Sequence, residues 1–431
     1  GKIKDNFKVS GKFSNTELRI PNNKNLKELS FNFNLKDNNC KFEEILFKFN
    51  GINFNSELLK IYKKKDKFYI NGNLKNKKNI VNSDLVFFIF NRNLKEFDFS
   101  NTKFESSSKF TFDLNKKFKV NNLKVDSKLN LDKLILKYEL NEIKNYIKNY
   151  NNLINLNENK LHVKYLNEKI LINGSSDFYI NDSFKDSVKF KIEKNKKKLN
   201  FETFFNLKNL DLIFEDIAYK KVKDDKATLI IKGFINNKKI FFENINYEEN
   251  KNKIEINNLE INNNKISNLE KIKFDYFTKN NFKNKIILFK KNGNYELKGK
   301  SFDSIQLIEN ISNSEADNNF FDIFENLNLK VKILVDEVKL DRNNTVNNLN
   351  GDLEIKNSKI ANLNLNSNFN SNEKLFVSIK TQKDNSVITT FYSDRAKPFV
   401  KKYKFIKGFE DGNLDFNSKK KNNFLKSKLI I

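Results

Sequence analysis

Apolar and polar residues alternate along most of the chain with the period of a β-strand. In KFTFDL, for example, Phe110, Phe112 and Leu114 are separated by single polar residues. Successive side chains on a strand point to opposite faces, so each such run has one apolar and one polar face. The same rhythm occurs at residues 7–13, 31–35, 329–335 and 363–369. It predicts a mainly antiparallel sheet with one face in water, because buried parallel strands read as continuous apolar runs.

Segments rich in Asn and Lys, such as NNKN and EENKNK, separate the apolar runs and suit hairpin turns. The eleven glycines are assigned to turns as well, among them Gly72, Gly174, Gly293 and Gly351. No strict sequence repeat occurs, so the chain is described as a strand and turn unit of variable length.

Helical patterns are few. An amphipathic helix is predicted near 140–154, where apolar residues from Ile143 to Ile154 form one stripe. Shorter helices are predicted at 301–311, at 318–327 and in SDRAKPFVKKY, residues 393–403. None of these patterns is long enough to span a bilayer.

An apolar sheet face has to be covered by a second sheet, by helices or by a ligand. The predicted helices could cover only a small part of about thirty strands, so the sheet must fold over on itself. Full closure would give a sandwich or barrel, whereas an open seam would leave an apolar trough. The predicted fold class is all-β, mainly antiparallel, with a few short helices, in the form of an elongated, curved, open sheet with a taco-like groove.

Composition and charge narrow the function classes. The net charge is +27, from 81 basic and 54 acidic residues, which could suit nucleic acid or an anionic surface. Only four basic residues are Arg, the residue type that binds phosphate and guanine with two hydrogen bonds. Residues 301–329 contain neither Lys nor Arg, which interrupts any continuous basic surface. Joint enrichment in Lys, Asn, Ile and Phe is typical of AT-rich coding, so the lysines are interpreted as solvated strand faces. No nucleic-acid partner is expected.

Catalytic chemistry has little support. The chain has one His, His162, in a strand pattern, and one Cys, Cys40, so it offers neither a Cys/His zinc site nor a Cys pair for redox work. A Ser-His-Asp triad would need that same histidine, and no Gly-rich phosphate loop occurs. No acidic pair stands out among the carboxylates. The protein is therefore expected not to be an enzyme and to carry no cofactor or metal.

The stretch VITTFYSDRAKPFVKKYKFIKGFEDGNLDF, residues 387–416, departs from the strand rhythm. The run from this stretch to the end of the chain, residues 387–431, resembles the C-terminal part of the AsmA-like superfamily, in particular the YhdP-like branch related to TamB. There a strand leads into a Ser-Asp-led short helix, then a Gly-Gly turn and a returning hairpin. Ser393 and Asp394 match the helix opening, with one of them as the expected N-cap, and Asp411 and Gly412 stand at the Gly pair. Residues 294–311 and 328–355 resemble the preceding strands of that family.

The resemblance is specific over residues 290–431. Residues 1–289 are compatible with it only in their strand rhythm and composition. Two regions are therefore predicted: an elongated β-sheet repeat region at 1–289, with the helix near 140–154, and an AsmA-like C-terminal β region at 290–431. The absence of Met, the start at Gly1 and the end within a strand pattern lead us to expect a piece of a longer protein.

The resemblance implies a periplasmic segment of a bridge-like protein, anchored in the inner membrane of a Gram-negative envelope. Such a protein carries phospholipid to the outer membrane through an apolar groove and serves outer-membrane biogenesis. The two membranes would be reached through parts of the parent protein outside this chain. The short helix would then cap or brace the trough.

Alternation places ten residues in the candidate lipid groove: Phe31, Phe33, Phe110, Phe112, Leu329, Val331, Ile333, Leu363, Leu365 and Phe369. Periodicity cannot separate such a groove from a closed core filled by the same side chains. Two further functions stay open: a structural scaffold or surface adhesin with a dry interior, and a protein that binds an anionic polymer.

Overall fold

The computed structural model describes residues 7–20, 24–81, 94–137, 146, 147, 150, 152–180, 184–237, 239–306, 328–369, 372–400, 412–422 and 424–430. The chain divides into two compact units. Unit 1 comprises residues 1–144 and 149–210, and unit 2 comprises residues 145–148 and 211–431.

Unit 1 is an antiparallel meander. Its strands are Lys8–Ile20 (β1), Lys24–Lys36 (β2), Asn39–Phe49 (β3), Ile52–Lys64 (β4), Lys67–Ile80 (β5), Phe97–Asp98 (β6), Lys103–Leu114 (β7), Val120–Lys137 (β8), Leu153–Leu166 (β9), Lys169–Ile180 (β10), Phe184–Lys194 (β11) and Leu199–Leu207 (β12). Each strand pairs with the next in the chain, except that β5 pairs with β7 and the short β6 pairs with β8.

Unit 2 begins with a small hairpin, Leu212–Phe214 (β13) and Tyr219–Lys221 (β14), whose strands are joined by a 3₁₀ turn at Glu215–Ile217. Its main sheet contains Ala227–Asn236 (β15), Lys239–Glu249 (β16), Asn252–Asn262 (β17), Lys265–Phe277 (β18), Lys283–Lys291 (β19), Asn294–Asp303 (β20), Leu329–Lys339 (β21), Thr345–Lys356 (β22), Lys359–Asn368 (β23), Lys374–Thr381 (β24), Val387–Ser393 (β25), Leu414–Lys421 (β26) and Phe424–Ile430 (β27). One short helix, Lys397–Val400 (α1), follows β25.

Neighbouring strands of this sheet pair antiparallel with one exception. Strands β20 and β21 run parallel, with Tyr295 opposite Val331 and Phe302 opposite Val338. Antiparallel strands can be joined by short turns, whereas a parallel pair needs a crossover connection. The connection between β20 and β21 falls largely outside the described residues. The predicted fold class, an all-β, mainly antiparallel, curved and open sheet, is confirmed, because the described strands do not close into a barrel.

The predicted helices fare differently. The end of the 140–154 helix is wrong, because Leu153 and Ile154 begin β9 and Ile147 forms an isolated β-bridge with Leu212. Most of that segment, the 318–327 pattern and residues 307–311 lie outside the described residues. The 301–311 pattern begins as strand, since β20 extends to Asp303, and residues 305 and 306 are helical.

The helix predicted in SDRAKPFVKKY exists, but it starts later than expected. Ser393 ends β25 and Asp394 accepts a hydrogen bond from the backbone N–H of Lys374, 2.6 Å away. Neither residue is therefore the N-cap of α1, which begins at Lys397. Asp411 lies outside the described residues.

Several glycines occupy strands instead of turns. Gly72 lies in β5, Gly174 in β10 and Gly351 in β22, whereas Gly293 does occupy a turn, with a φ of 81°. A Cβ atom on Gly72 would lie 2.8 Å from a Leu59 methyl carbon and 2.9 Å from the Phe110 ring. A glycine in a strand permits such a close approach of a neighbouring side chain. The assignment of these strand glycines to turns is therefore wrong.

Within the described residues, no helix is long and apolar enough to cross a membrane. The predicted boundary at 289/290 was drawn from a resemblance and stays a prediction.

Candidate functional site: an apolar row with one sealed border

One continuous row of apolar residues crosses the main sheet of unit 2. Its members lie directly opposite one another on successive strands, from β15 to β27. The row consists of Ile231, Ile245, Ile256, Ile272, Leu288, Leu297, Ile333, Gly351, Leu365, Val377, Phe391, Phe416 and Leu429. At about 4.8 Å between strands, the row is about 58 Å long when measured along the sheet.

The row is only partly shielded from solvent. Ile333 is its single fully buried member, at 9% exposure, while Leu429 at the last strand is 44% exposed and the others are half-buried. A residue packed between two sheets loses nearly all of its accessible surface. The described part of unit 2 therefore places no second layer over most of the row.

Unit 1 has a comparable row. It runs from β1 to β10 through Gly11, Phe33, Phe42, Leu59, Gly72, Phe110, Val125, Tyr165 and Ile170. The Phe110 ring on it stacks on Phe112, which lies beside the row on the same face, with centroids 6.1 Å apart. These side chains are half-buried or exposed as well.

One border of the unit 2 row, at one end of the strands, is sealed. The residues there are at most 7% exposed. They are Ala227, Glu249, Tyr276, Asn284, Asp303, Val338, Val346, Phe369, Ser393 and Leu414, which we call the sealed border. They contrast with the half-buried row on the same sheet.

The β13–β14 hairpin covers the first part of the sealed border. The Tyr219 ring, 1% exposed, packs edge-to-face against Tyr247 and Tyr276 with centroids 5.8 and 5.4 Å away. The Tyr219 hydroxyl lies 2.8 Å from the Tyr247 hydroxyl and donates a hydrogen bond to the Glu249 carboxylate. Burial and the neighbouring carboxylate raise the pKa of both hydroxyls, so these tyrosines are neutral donors.

The polar groups of the sealed border satisfy one another. The Tyr276 hydroxyl donates to the carbonyl oxygen of Ile217, 2.7 Å away, and accepts from the Asn284 amide, also at 2.7 Å. The Asn284 carbonyl oxygen in turn accepts from the backbone N–H of Asp303 at 2.6 Å. Buried polar groups are stable when they are hydrogen-bonded, so this network holds the hairpin against the sheet.

Helix α1 covers the row near the C-terminal strands of unit 2, at β25. The Phe399 ring lies edge-to-face on Phe391, a member of the row, with centroids 4.6 Å apart. Ala396, fully buried, donates its backbone N–H to the carbonyl oxygen of Gly412 at 2.7 Å. The Arg395 guanidinium lies over the Phe369 ring, with 5.2 Å between the guanidinium carbon and the ring centroid. These contacts join α1 to the sheet, and the role of the helix as a brace stays a prediction.

The opposite border of unit 2 consists of hairpin turns and is the open border. It comprises residues 235–240, 261–266, 290–295, 355–360, 380–388 and 420–425. The described residues include no element that covers it as the hairpin covers the sealed border. Exposure at this border is uneven: Ile355 and Ser386 are buried, at 3% and 0%, whereas the lysines of its turns are exposed.

The ten predicted groove residues lie on the apolar faces of the two units. In unit 1, Phe33 and Phe110 are members of the row. In unit 2, Ile333 and Leu365 are members of the row. Phe31, Phe112, Leu329, Val331, Leu363 and Phe369 lie beside the rows on the same faces.

The ten residues fall into a buried group and a half-buried group. Val331 and Ile333 are buried, at 8% and 9% exposure, and Phe369 is 2% exposed beneath Arg395. The other seven are half-buried, so they are the better candidates for contact with a ligand.

Sequence reasoning missed the middle of the unit 2 row. Ile245, Ile256 and Ile272 stand in strands with the same alternation, and that alternation was the available signal. It missed the Tyr219 network because those residues become neighbours only through pairing of distant strands. Among the described residues, no group of three His, Cys, Asp or Glu side chains could hold a metal ion. His162 contacts Asp126 at 2.7 Å on the surface of unit 1.

Comparison with known proteins identifies no relative. No protein-family model matches the chain. No curated protein matches it either, so the chain is assigned to no family by these comparisons.

Proposed function

We propose that this protein carries phospholipid, with the acyl chains lying along the apolar rows and the headgroups in water. The main support is the unit 2 row, which stays apolar over thirteen strands while most of its side chains remain half-exposed. A soluble protein that exposes a continuous apolar surface has a partner for it, and a lipid tail is such a partner.

The energetics suit sliding as well as binding. Each CH₂ group of an acyl chain that is buried contributes about 0.8 kcal/mol to binding, and an apolar row provides this at every position where the acyl chain can lie. Neighbouring positions along the row therefore have similar affinity. A carrier of this kind needs no catalytic residue, and we propose a non-enzymatic role without cofactors.

The resemblance of residues 290–431 to AsmA-like proteins extends the proposal. On that resemblance we propose that the chain is a periplasmic segment of a protein anchored in the inner membrane, which moves phospholipid between the inner and outer membranes. A structural scaffold or adhesin is the alternative. The packed cluster around Val331, Val335 and Val346 favours it, because those side chains are dry.

Photo-crosslinking tests the proposal directly. A benzophenone side chain replaces Leu365, which is half-buried on the row, and in a matched variant it replaces the neighbouring Asn366, which is exposed on the other face. The purified chain is incubated with phospholipid vesicles, irradiated and analysed by mass spectrometry. We expect a phospholipid adduct at position 365 and much less at position 366.

A second pair in unit 1, at Phe112 and Thr111, repeats the comparison. Equal labelling at both members of each pair, or no lipid at either, would contradict the proposal. The second result would favour the scaffold.

A further inference from the structure

The two borders of the unit 2 sheet differ in charge. Ten lysines stand in the described turns of the open border: Lys239, Lys265, Lys290, Lys291, Lys356, Lys359, Lys380, Lys383, Lys420 and Lys421. Asp384 is the single acidic residue in those six ranges. The sealed border, by contrast, includes Glu249 and Asp303, and its turns mix both signs.

This asymmetry is not explained by coding composition. A bias toward Lys codons acts on every turn alike, so it would enrich both ends of the strands to the same degree. Here the excess of positive charge lies at the end where the apolar row is open.

Part of the open-border charge is neutralised and part is not. Lys239, Lys291, Lys356 and Lys421 pair with Glu260, Glu296, Glu354 and Asp384 at 2.8 to 3.1 Å. Of the other six, Lys290 donates a hydrogen bond to the side-chain oxygen of Asn268 at 3.1 Å. The remaining five are exposed and form no ion pair among the described residues: Lys265, Lys359, Lys380, Lys383 and Lys420.

A cavity of about 910 Å³ lies at the same border. Its lining includes apolar residues such as Leu353 and Ile379, four lysines, and the acidic residues Glu296, Asp352 and Glu354. An amphiphile with an anionic head needs an apolar surface and cations near it, and the exposed lysines of the open border that form no ion pair among the described residues are such cations.

Unit 1 shows the pattern in part. The turn between β4 and β5 contains Lys65 and Asp66 and is flanked by Lys64 and Lys67, and Asp66 pairs with Lys116 at 3.0 Å. The turn between β11 and β12, at the same end of the strands, contains Lys196 and Lys197, and Lys196 pairs with Glu168 at 2.6 Å. On the face opposite the row, Tyr62 and Tyr69 stack beside the first of these turns with ring centroids 5.1 Å apart.

From these observations we infer that the open border is a binding site for the phosphate of an anionic lipid headgroup. The protein then prefers an anionic phospholipid over a lipid with the same tails and no phosphate. The inference rests on the proposed function, because it takes the acyl chains to lie on the apolar row. The lysine ammonium groups attract the phosphate as point charges and need no fixed geometry, which suits a headgroup that moves along the border.

The test uses the full chain with the benzophenone at position 365. Vesicles of dioleoylphosphatidylcholine contain an equal minor fraction of either dioleoylphosphatidylglycerol or dioleoylglycerol, and the crosslinked lipid is identified by mass. One variant carries Lys265→Glu, Lys359→Glu and Lys383→Glu at the open border. The control carries Lys226→Glu, Lys251→Glu and Lys300→Glu, three exposed lysines away from that border, with the same change of net charge.

We expect phosphatidylglycerol to be captured at least fivefold more than dioleoylglycerol by the unmodified chain and by the control. The open-border variant should lose most of that preference, and high salt should weaken it in the unmodified chain. Equal capture of both lipids by all three proteins would overturn the headgroup site and leave the apolar row as a lipid carrier. Absence of any captured lipid, phosphatidylcholine included, would overturn the proposed function itself.

Discussion

Substitution of Gly351 by Ala tests the geometry of the apolar row at its centre. Gly351 lies between Ile333 on β21 and Leu365 on β23. A Cβ atom there would overlap the backbone carbonyl oxygen of Asn364 and lie 3.0 Å from the Cα of Leu365. Backbone atoms cannot rotate away as a side chain can, so the two strands must separate.

The size of the effect follows from that displacement. A separation of about 1.5 Å lengthens the local N–H···O bonds from about 2.9 Å to beyond the range of a hydrogen bond. Two lost bonds at about 1 kcal/mol each, with the loosened packing on either side, lower the free energy of unfolding by about 3 kcal/mol. Gly174→Ala is the matched control, because the new Cβ there would meet only the Phe190 ring, which can turn aside at a cost of about 1 kcal/mol.

Hydrogen–deuterium exchange measured on peptides localises the result. We expect Gly351→Ala to speed exchange in β22 and β23 and leave β16–β18 unchanged, with a lower urea midpoint for unit 2. In Gly174→Ala, exchange in β22 and β23 should match the unmodified chain. If Gly351→Ala kept the original exchange rates and urea midpoint, the close approach of β23 to Gly351 would be refuted.

Three further predictions concern the elements that cover the row. Tyr219→Phe should lower the free energy of unfolding by about 1–3 kcal/mol, because the buried Glu249 carboxylate loses a hydrogen-bond donor. Urea titration measures this loss, with Tyr62→Phe at an exposed tyrosine as the control. Equal losses in the two variants would contradict the prediction. Burial raises the pKa of Tyr276 to about 12, so its contribution to stability is complete below pH 10 and is lost between pH 10 and about 12. Urea midpoints measured across that range should fall further in the unmodified chain than in Tyr276→Phe. Parallel falls in the two proteins would count against this prediction. Phe399→Ala should lower stability by about 2 kcal/mol, because the ring is half-buried on the row; a thermal shift below 1 °C would show that α1 does not brace the sheet.

Local patterns predicted the strands well. β7 and β21 coincide with the runs around Phe110 and Val331, because alternation over several residues reports one wet and one apolar face. Turn chemistry was also informative at Gly293. It failed at Gly72 and Gly174, where a ring from another strand lies close to the glycine, because a single sequence does not show which residues lie opposite each other.

The candidate site was predictable only as a face. Alternation placed Leu365 and Phe369 on the same side, but it could not tell that Phe369 lies beneath Arg395 while Leu365 is half-exposed. That difference arises from α1 and the β13–β14 hairpin, which pack on the sheet far from their places in the sequence. The distribution of lysines between the two borders likewise becomes visible only once the strands are aligned.

The parallel pair β20–β21 has a consequence for the order of assembly. Nearly every other pairing joins sequence neighbours through a short turn and can form quickly, whereas Tyr295 must find Val331 across 36 positions. Closing the longer loop has an entropic cost before any contact is gained, so the pairing is intrinsically slow. Strands β21–β27 and strands β15–β20 should therefore acquire structure as separate nuclei, and their joining should set the slowest phase of refolding in unit 2.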